Sequence, residues 1–269
     1  MSVRQTAVFG AALVLFSAAA GAAPHDWQLG MQPAVTPVMA RIEEFHNLLL
    51  VIISAICAVV AILLIWVMVR YNHRANPTPS RTQHNTLLEV AWTIVPVIIL
   101  VVIAIPSFRL LYFEAEIPKP DVTVQVIGRQ WYWTYAFPKD GGFQFDSNIL
   151  QDAAAKQRGE PRLLGVDNPL YVPVNKVVEI DTTASDVIHS WSVPAFGVKM
   201  DAVPGHINRT WFKATELGTY YGQCSQLCGA NHAFMPIEVK VVTQPQYDAW
   251  LAQAKKKYAS DGATLVASR

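Results

Sequence analysis

Between Gly222 and Met235 the chain reads Gly-Gln-Cys-Ser-Gln-Leu-Cys-Gly-Ala-Asn-His-Ala-Phe-Met. Two thiols (Cys224 and Cys228), an imidazole (His232) and a thioether (Met235) therefore fall within a dozen residues. These are soft or borderline ligands, the set that suits copper. A second imidazole, His189, lies upstream in the strand-like run Ser185-Asp-Val-Ile-His-Ser-Trp191. One distant His on a strand together with a Cys/His/Met loop is how a small β-sandwich holds copper. Two thiols rather than one point to two copper ions sharing bridging sulfurs.

Two other chemistries fit the same loop. A Cys-x-x-x-Cys pair in an exported domain can close as a disulfide, because that compartment is oxidising. Two Cys and two His also make a zinc set. Ligand softness, the separate stretch carrying His189 and the membrane segments of the chain favour copper. The third cysteine, Cys57, stands alone in an apolar run and reads as inert packing.

The elements that must position these residues follow from composition and pattern. Of 269 residues 52% are hydrophobic, and two long uncharged runs account for the excess. A formal net charge of +1 argues against a nucleic-acid binder. Residues 1–23 read as a secretory signal: Arg4, a short apolar stretch from Ala7 to Ala20, and small residues at Ala20-Gly-Ala22 for cleavage. Pro24–Arg41 is a lead-in without strong pattern. Leu48–Val69 and Val90–Phe108 are each about the length a bilayer needs. Pro96 and Pro106 interrupt the second, which a membrane helix tolerates. The loop between them, Arg70–Asn85, holds Arg70, His73, Arg74 and Arg81 and no acid, which places it in the cytoplasm. Both ends of this hairpin then lie outside.

Beyond Glu114 short β-branched runs alternate with turn residues, the pattern of a β-sandwich. Strands are expected at Val122–Ile127, Leu170–Val174, Val177–Asp181, Val187–Val193, Thr210–Lys213, Thr219–Gly222 and Ile237–Val242. Gln151–Arg162 reads as an exposed loop, and Gln246–Tyr258 as an amphipathic terminal helix. The expected division is a signal over 1–23, a lead-in and hairpin over 24–113, a sandwich over 114–243, and a helix and tail over 244–269.

Four motifs in this order and spacing carry a resemblance. They are Glu89-Val-Ala-Trp-Thr-Ile-Val-Pro96, Gly128-Arg-Gln-Trp-Tyr-Trp-Thr-Tyr135, Asp186-Val-Ile-His-Ser-Trp191, and Gly222-Gln-Cys-Ser-Gln-Leu-Cys-Gly229 with His232 and Met235. From about Phe45 to the terminal helix the chain resembles subunit II of a bacterial aa3-type haem-copper cytochrome c oxidase. That resemblance implies an α+β membrane protein: a two-helix transmembrane hairpin followed by a periplasmic, cupredoxin-like β-sandwich, held in the inner (cell) membrane. It implies a binuclear copper A centre bridged by Cys224 and Cys228. His189 and His232 would each bind one copper, Met235 would be a weak axial ligand, and Gln226 would supply a backbone carbonyl. Trp131 would accept electrons from cytochrome c, with Asp186 and Asp146 as docking acids. Glu89 would stand at the mouth of a proton path into subunit I, the partner holding haem a, haem a3 and copper B. Subunit III would be a further partner.

The sequence departs from the family at two positions. The family's Glu at Gln226 reaches a magnesium (Mg) or manganese ion at the subunit I interface. A neutral amide is a weaker ligand for a hard cation, so a weaker or differently completed site is expected. His206 in Asp201-Ala-Val-Pro-Gly-His206 stands where the family commonly has Arg. Two further readings keep the same architecture. One is a copper-free quinol oxidase subunit II, which lacks the cysteine pair. The other is a membrane-anchored single-copper carrier, in which one Cys suffices.

Overall fold

The structure is a computed structural model that describes residue 24 and residues 27–258. The expected signal over 1–23 and the tail beyond Tyr258 lie outside the described residues. Two long helices come first, α1 (Pro37–Arg70) and α2 (Thr86–Ala115). Their most apolar windows reach mean hydropathies of 3.4 and 2.7, and neither window is buried against the rest of the chain. Side chains this apolar and this exposed require a non-aqueous surround, and both helices are long enough to cross a bilayer. The two Pro inside α2 leave it continuous.

Helix α1 begins about three turns before the expected span. Thr36 takes the N-cap, its side chain accepting from the Met39 N–H at 3.0 Å, and Pro37 fills the first helical position. Both are ordinary start signals, so the lead-in is not patternless up to Arg41. The added turns dock the hairpin on the sandwich. Val38 and Met39 are buried, Thr36 Oγ1 donates to the Phe196 carbonyl at 2.7 Å, and Val35 N donates to the Ala195 carbonyl. On the second helix the Phe113 ring packs edge-on against Trp211, whose indole N–H donates to the Glu114 carbonyl.

Ten strands follow: β1 (Val122–Arg129), β2 (Tyr132–Phe137), β3 (Phe143–Ser147), then, after helix α3 (Asp152–Arg158), β4 (Leu170–Pro173), β5 (Val178–Ala184), β6 (His189–Val193), β7 (Val198–Ala202), β8 (Asn208–Phe212), β9 (Gly218–Cys224) and β10 (Pro236–Val242). Helix α4 (Gln244–Tyr258) ends the described chain. The strands form two five-stranded sheets, β3-β2-β1-β5-β8 and β4-β10-β9-β6-β7. Strict alternation on β5 buries Val178, Ile180, Thr182 and Ala184, as a strand with one face on the core must. Across the sandwich they share the core with Trp191, Val193, Tyr220, Ile237 and Val239.

Three strands lay outside the expected set. Strand β2 is buried along nearly its whole length, so it carries no period-2 signal. Strands β3 and β7 are short and interleave charged or polar residues. The expected loop Gln151–Arg162 contains α3, which is closed by Gly159 at φ 69°, the left-handed stop that glycine favours.

Candidate metal centre

Strand register places the first ligand. Trp191 on β6 lies opposite Cys224 on β9, and residues directly opposite in a pair share a face. His189, two residues before Trp191, shares that face too. The ladder runs one step further, with Ser225 N donating to the Ser190 carbonyl at 2.9 Å. The chain then leaves the sheet, makes a single 3-10 turn at His232–Phe234, and re-enters as β10 at Pro236, paired with Gln223. The loop closed by β9 and β10 therefore returns Met235 to the side of Cys224.

The donor atoms converge. His189 Nδ1 lies 3.9 Å from Cys224 Sγ, Cys224 Sγ lies 3.9 Å from Cys228 Sγ, and Cys228 Sγ lies 3.5 Å from both His232 Nδ1 and Met235 Sδ. The Gln226 carbonyl oxygen is 3.3 Å from Cys224 Sγ, while the Gln226 residue is exposed. His189, Cys224, Cys228 and Met235 are buried and His232 is half-buried. Both thiols are free. Two thiols, two imidazoles, a thioether and a carbonyl exceed the four ligands a structural zinc takes. A single blue-copper ion would use one thiolate and leave the other unexplained. The set is compatible with a copper site.

Surrounding residues fix the ligands. Asp186 Oδ1 lies 2.8 Å from His189 Nε2, so the imidazole donates there and presents Nδ1 to the thiols. The Asp186 carboxylate also accepts from the Gln130 and Val187 backbone N–H groups, each at 2.7 Å. Burial opposes ionisation of Asp186, and these bonds outweigh it, holding its carboxyl below the usual range. Burial likewise disfavours the His189 imidazolium, but hydrogen bonding to Cys224 and Asp186 prevails and raises it. The thiols are pushed apart. Burial works against Cys224, yet hydrogen bonding to His189 and to the Ser190 and Gln226 backbone lowers it. Burial and the neighbouring Cys224 raise Cys228. The centre thus forms a thiolate at Cys224 more readily than at Cys228.

Trp131 is half-buried against the core, and its indole N–H donates to the Cys228 carbonyl at 3.3 Å. Three further residues of the Gly128–Tyr135 motif, none of them an expected site residue and Trp133 read as packing, meet the cluster. Gln130 Nε2 donates to that same carbonyl at 2.8 Å. Trp133, fully buried, donates from its indole to the Met235 carbonyl at 3.2 Å. Gly128 leaves room for His189: a Cβ there would lie 2.7–2.9 Å from the imidazole and its Cβ. A glycine inside a strand pattern is the available signal for such an approach.

Two expected residues lie away from this cluster. Asp146, exposed on β3, accepts from Thr134 Oγ1 at 2.6 Å. Glu89 is in the first turn of α2, where its carboxylate accepts from the Asn85 N–H at 3.2 Å and so caps the helix.

Comparison with known proteins bears on the whole chain. Residues 122–242 match the family model "Cytochrome C oxidase subunit II, periplasmic domain" and residues 24–110 match "Cytochrome C oxidase subunit II, transmembrane domain". The "Probable cytochrome c oxidase subunit 2" of Rickettsia bellii is 48% identical over 251 residues, 93% of each chain. The "Cytochrome c oxidase subunit 2" of Cereibacter sphaeroides is 44% identical, covering 86% of this chain and 82% of that one. Among solved structures, the periplasmic domain of subunit II of cytochrome oxidase from Bradyrhizobium japonicum is 52% identical. It aligns with a TM-score of 0.50 over 53% of this chain and 99% of that one.

Proposed function

This chain belongs to the cytochrome c oxidase subunit II family, and we propose that it is the subunit through which electrons from cytochrome c reach the haem of subunit I. It is a membrane protein with a periplasmic, cupredoxin-like domain, and it works with other oxidase subunits. The observation that carries the proposal is the convergence of five soft and borderline donors and one backbone carbonyl on one loop and one strand end. A copper pair bound there supplies a one-electron store between cytochrome c and haem.

The chain's own residues have distinct tasks in this reading. Cys224 and Cys228 would hold the copper pair as thiolates, with His189 through Nδ1, His232, the Met235 thioether and the Gln226 carbonyl as the remaining donors. Trp131 receives the electron, because its indole is hydrogen-bonded to the backbone of a ligand cysteine. Asp146 offers an exposed carboxylate to a basic cytochrome c, and Asp186, which accepts from the Gln130 backbone N–H next to Trp131, is the second docking acid. Glu89 feeds a proton path from the cytoplasmic end of α2 toward subunit I. There haem a, haem a3 and copper B reduce oxygen to water with proton pumping, and subunit III completes the assembly in the inner membrane. Gln226 presents an amide where a carboxylate would hold magnesium, so that site is weaker here.

The test is copper stoichiometry and electron spin resonance of the purified full-length chain. Two coppers per chain sharing one unpaired electron is the expected result. A single blue-copper spectrum overturns the proposal in favour of a one-copper carrier.

A further inference from the structure

The carbonyl of Cys228 accepts two hydrogen bonds from consecutive residues, the Gln130 side-chain amide at 2.8 Å and the Trp131 indole at 3.3 Å. The same Gln130 gives its backbone N–H to Asp186, the carboxylate that holds His189. Gln130 is therefore where the aromatic segment, a ligand cysteine and a ligand histidine are tied together. Its side-chain amide makes the shorter of the two bonds to the Cys228 carbonyl. Gly229 makes the approach close enough. Its φ of +123° is glycine's region, and a Cβ there would lie 3.1 Å from both Gln130 Nε2 and Trp131 Cζ2.

We infer that Gln130 is a positioning residue for electron transfer: its side-chain amide seats the Trp131 indole on the Cys228 carbonyl. This rests on the reading of Trp131 as the electron acceptor. The physical argument is one of reach and order. Trp131 is only half-buried, so packing alone does not fix its ring. A neighbour anchored at both its backbone and its side chain removes that freedom. With the amide gone, the loop carbonyl is released from its stronger donor and the indole is left with one long bond.

Gln130→Leu and Gln130→Glu in the intact oxidase test this. Both keep the volume of the side chain, and neither donates to a carbonyl at neutral pH. Reduction of the copper centre by reduced cytochrome c is followed by stopped flow, with copper content and the electron spin resonance spectrum measured on the same samples. Both variants are expected to keep two coppers and an unchanged spectrum while the reduction rate falls about fivefold, the occupancy that one such hydrogen bond secures. An unchanged rate in either variant overturns the inference, since packing without donation would then suffice. Loss of copper also overturns it, by making Gln130 a residue of site assembly. Trp131→Phe, run in parallel, separates the two readings. If it leaves the rate untouched, the reading of Trp131 fails and this inference falls with it. If it slows the rate while the Gln130 variants do not, only this inference falls.

Discussion

Asp186 Oδ1 lies 2.8 Å from His189 Nε2, and the opposite ring nitrogen, Nδ1, faces Cys224 Sγ at 3.9 Å. The carboxylate chooses the tautomer and aims the ring at once. Partners of this kind typically govern metal affinity by 10–100-fold. Asp186→Ala should therefore weaken copper binding by about that factor in chelator competition, and Asp186→Asn, which keeps an acceptor, by less. Were Asp186 only a surface acid for docking, Asp186→Ala would slow the reaction with cytochrome c and leave copper affinity unchanged.

The unequal thiols make a prediction about protons. Cys224 is lowered by its hydrogen bonds, whereas Cys228 is raised by burial and by Cys224. A metal needs both as thiolates. Loading copper should displace at least the Cys228 proton near neutrality, and the Cys224 proton as well in more acidic solution. Apparent affinity must therefore fall as pH falls. Titration calorimetry in buffers of different ionisation enthalpy counts the protons. Cys228→Ser should lose the two-copper spectrum and with it most of the proton release.

Much of this was legible in the chain. Cys224, Cys228, His232 and Met235 are close in sequence, and the loop that joins them forces them close in space. His189 was legible because a strand pattern surrounds it. Asp186 had a visible place in its motif, but its inward bond to His189 depends on how the turn before β6 folds. Gln130 and Trp133 act through the carbonyls of Cys228 and Met235, and no side-chain pattern announces a backbone acceptor about a hundred residues away. The strand β2 was hidden for a different reason: buried on nearly every residue, it lacks the alternation that marks a half-exposed strand.

Glu89 has two tasks that substitution can separate. Its carboxylate caps α2 by accepting from the Asn85 N–H, and a proton path would need its ionisation. Glu89→Gln keeps an acceptor and removes the titrating group. It should preserve stability and reduction of the copper centre while slowing oxidase turnover. Glu89→Ala should add a loss of about 0.5–1 kcal/mol from the missing hydrogen bond to the Asn85 N–H. Normal turnover in Glu89→Gln, measured as oxygen uptake, would leave the cap as its whole role.

The buried carboxylate of Glu238 sets a pH dependence away from the metal centre. It is 1% exposed, accepts from the Val166 N–H at 2.9 Å and lies 3.2 Å from Lys240 Nζ. Lys240 also meets Glu160, which accepts from the Tyr221 hydroxyl. Burial raises Glu238 above its ordinary 4.5, so the fold favours its protonated form. That contribution is complete below the ordinary value and is lost as pH rises through the raised one. Lys240 is raised as well, by Glu238 against its own burial, so its contribution persists until strongly alkaline pH. Urea unfolding of the wild type should therefore show stability declining above about pH 4.5 relative to Glu238→Gln, by about 1.4 kcal/mol for each unit of the rise. Parallel pH profiles for the two proteins would remove Glu238 as the cause.

Gly128 is the position where a single methyl group should disturb the fold and the metal together. It sits on β1 opposite Trp133 of β2 and beside Ala184 of β5, so its backbone is held by ladders on both sides. Its missing side chain faces the His189 ring, which is fully buried and fixed by Asp186. A Cβ at Gly128 would lie 2.7 Å from His189 Cδ2, well inside van der Waals contact, and neither partner has room to retreat. Overpacking of this kind costs about 1–3 kcal/mol. Gly128→Ala should lower the unfolding midpoint by that amount and reduce copper binding. The double variant Gly128→Ala/His189→Ala should regain much of the stability in urea melts without regaining copper. If the double variant is no more stable than the single one, the collision with His189 is not the reason for glycine at this position.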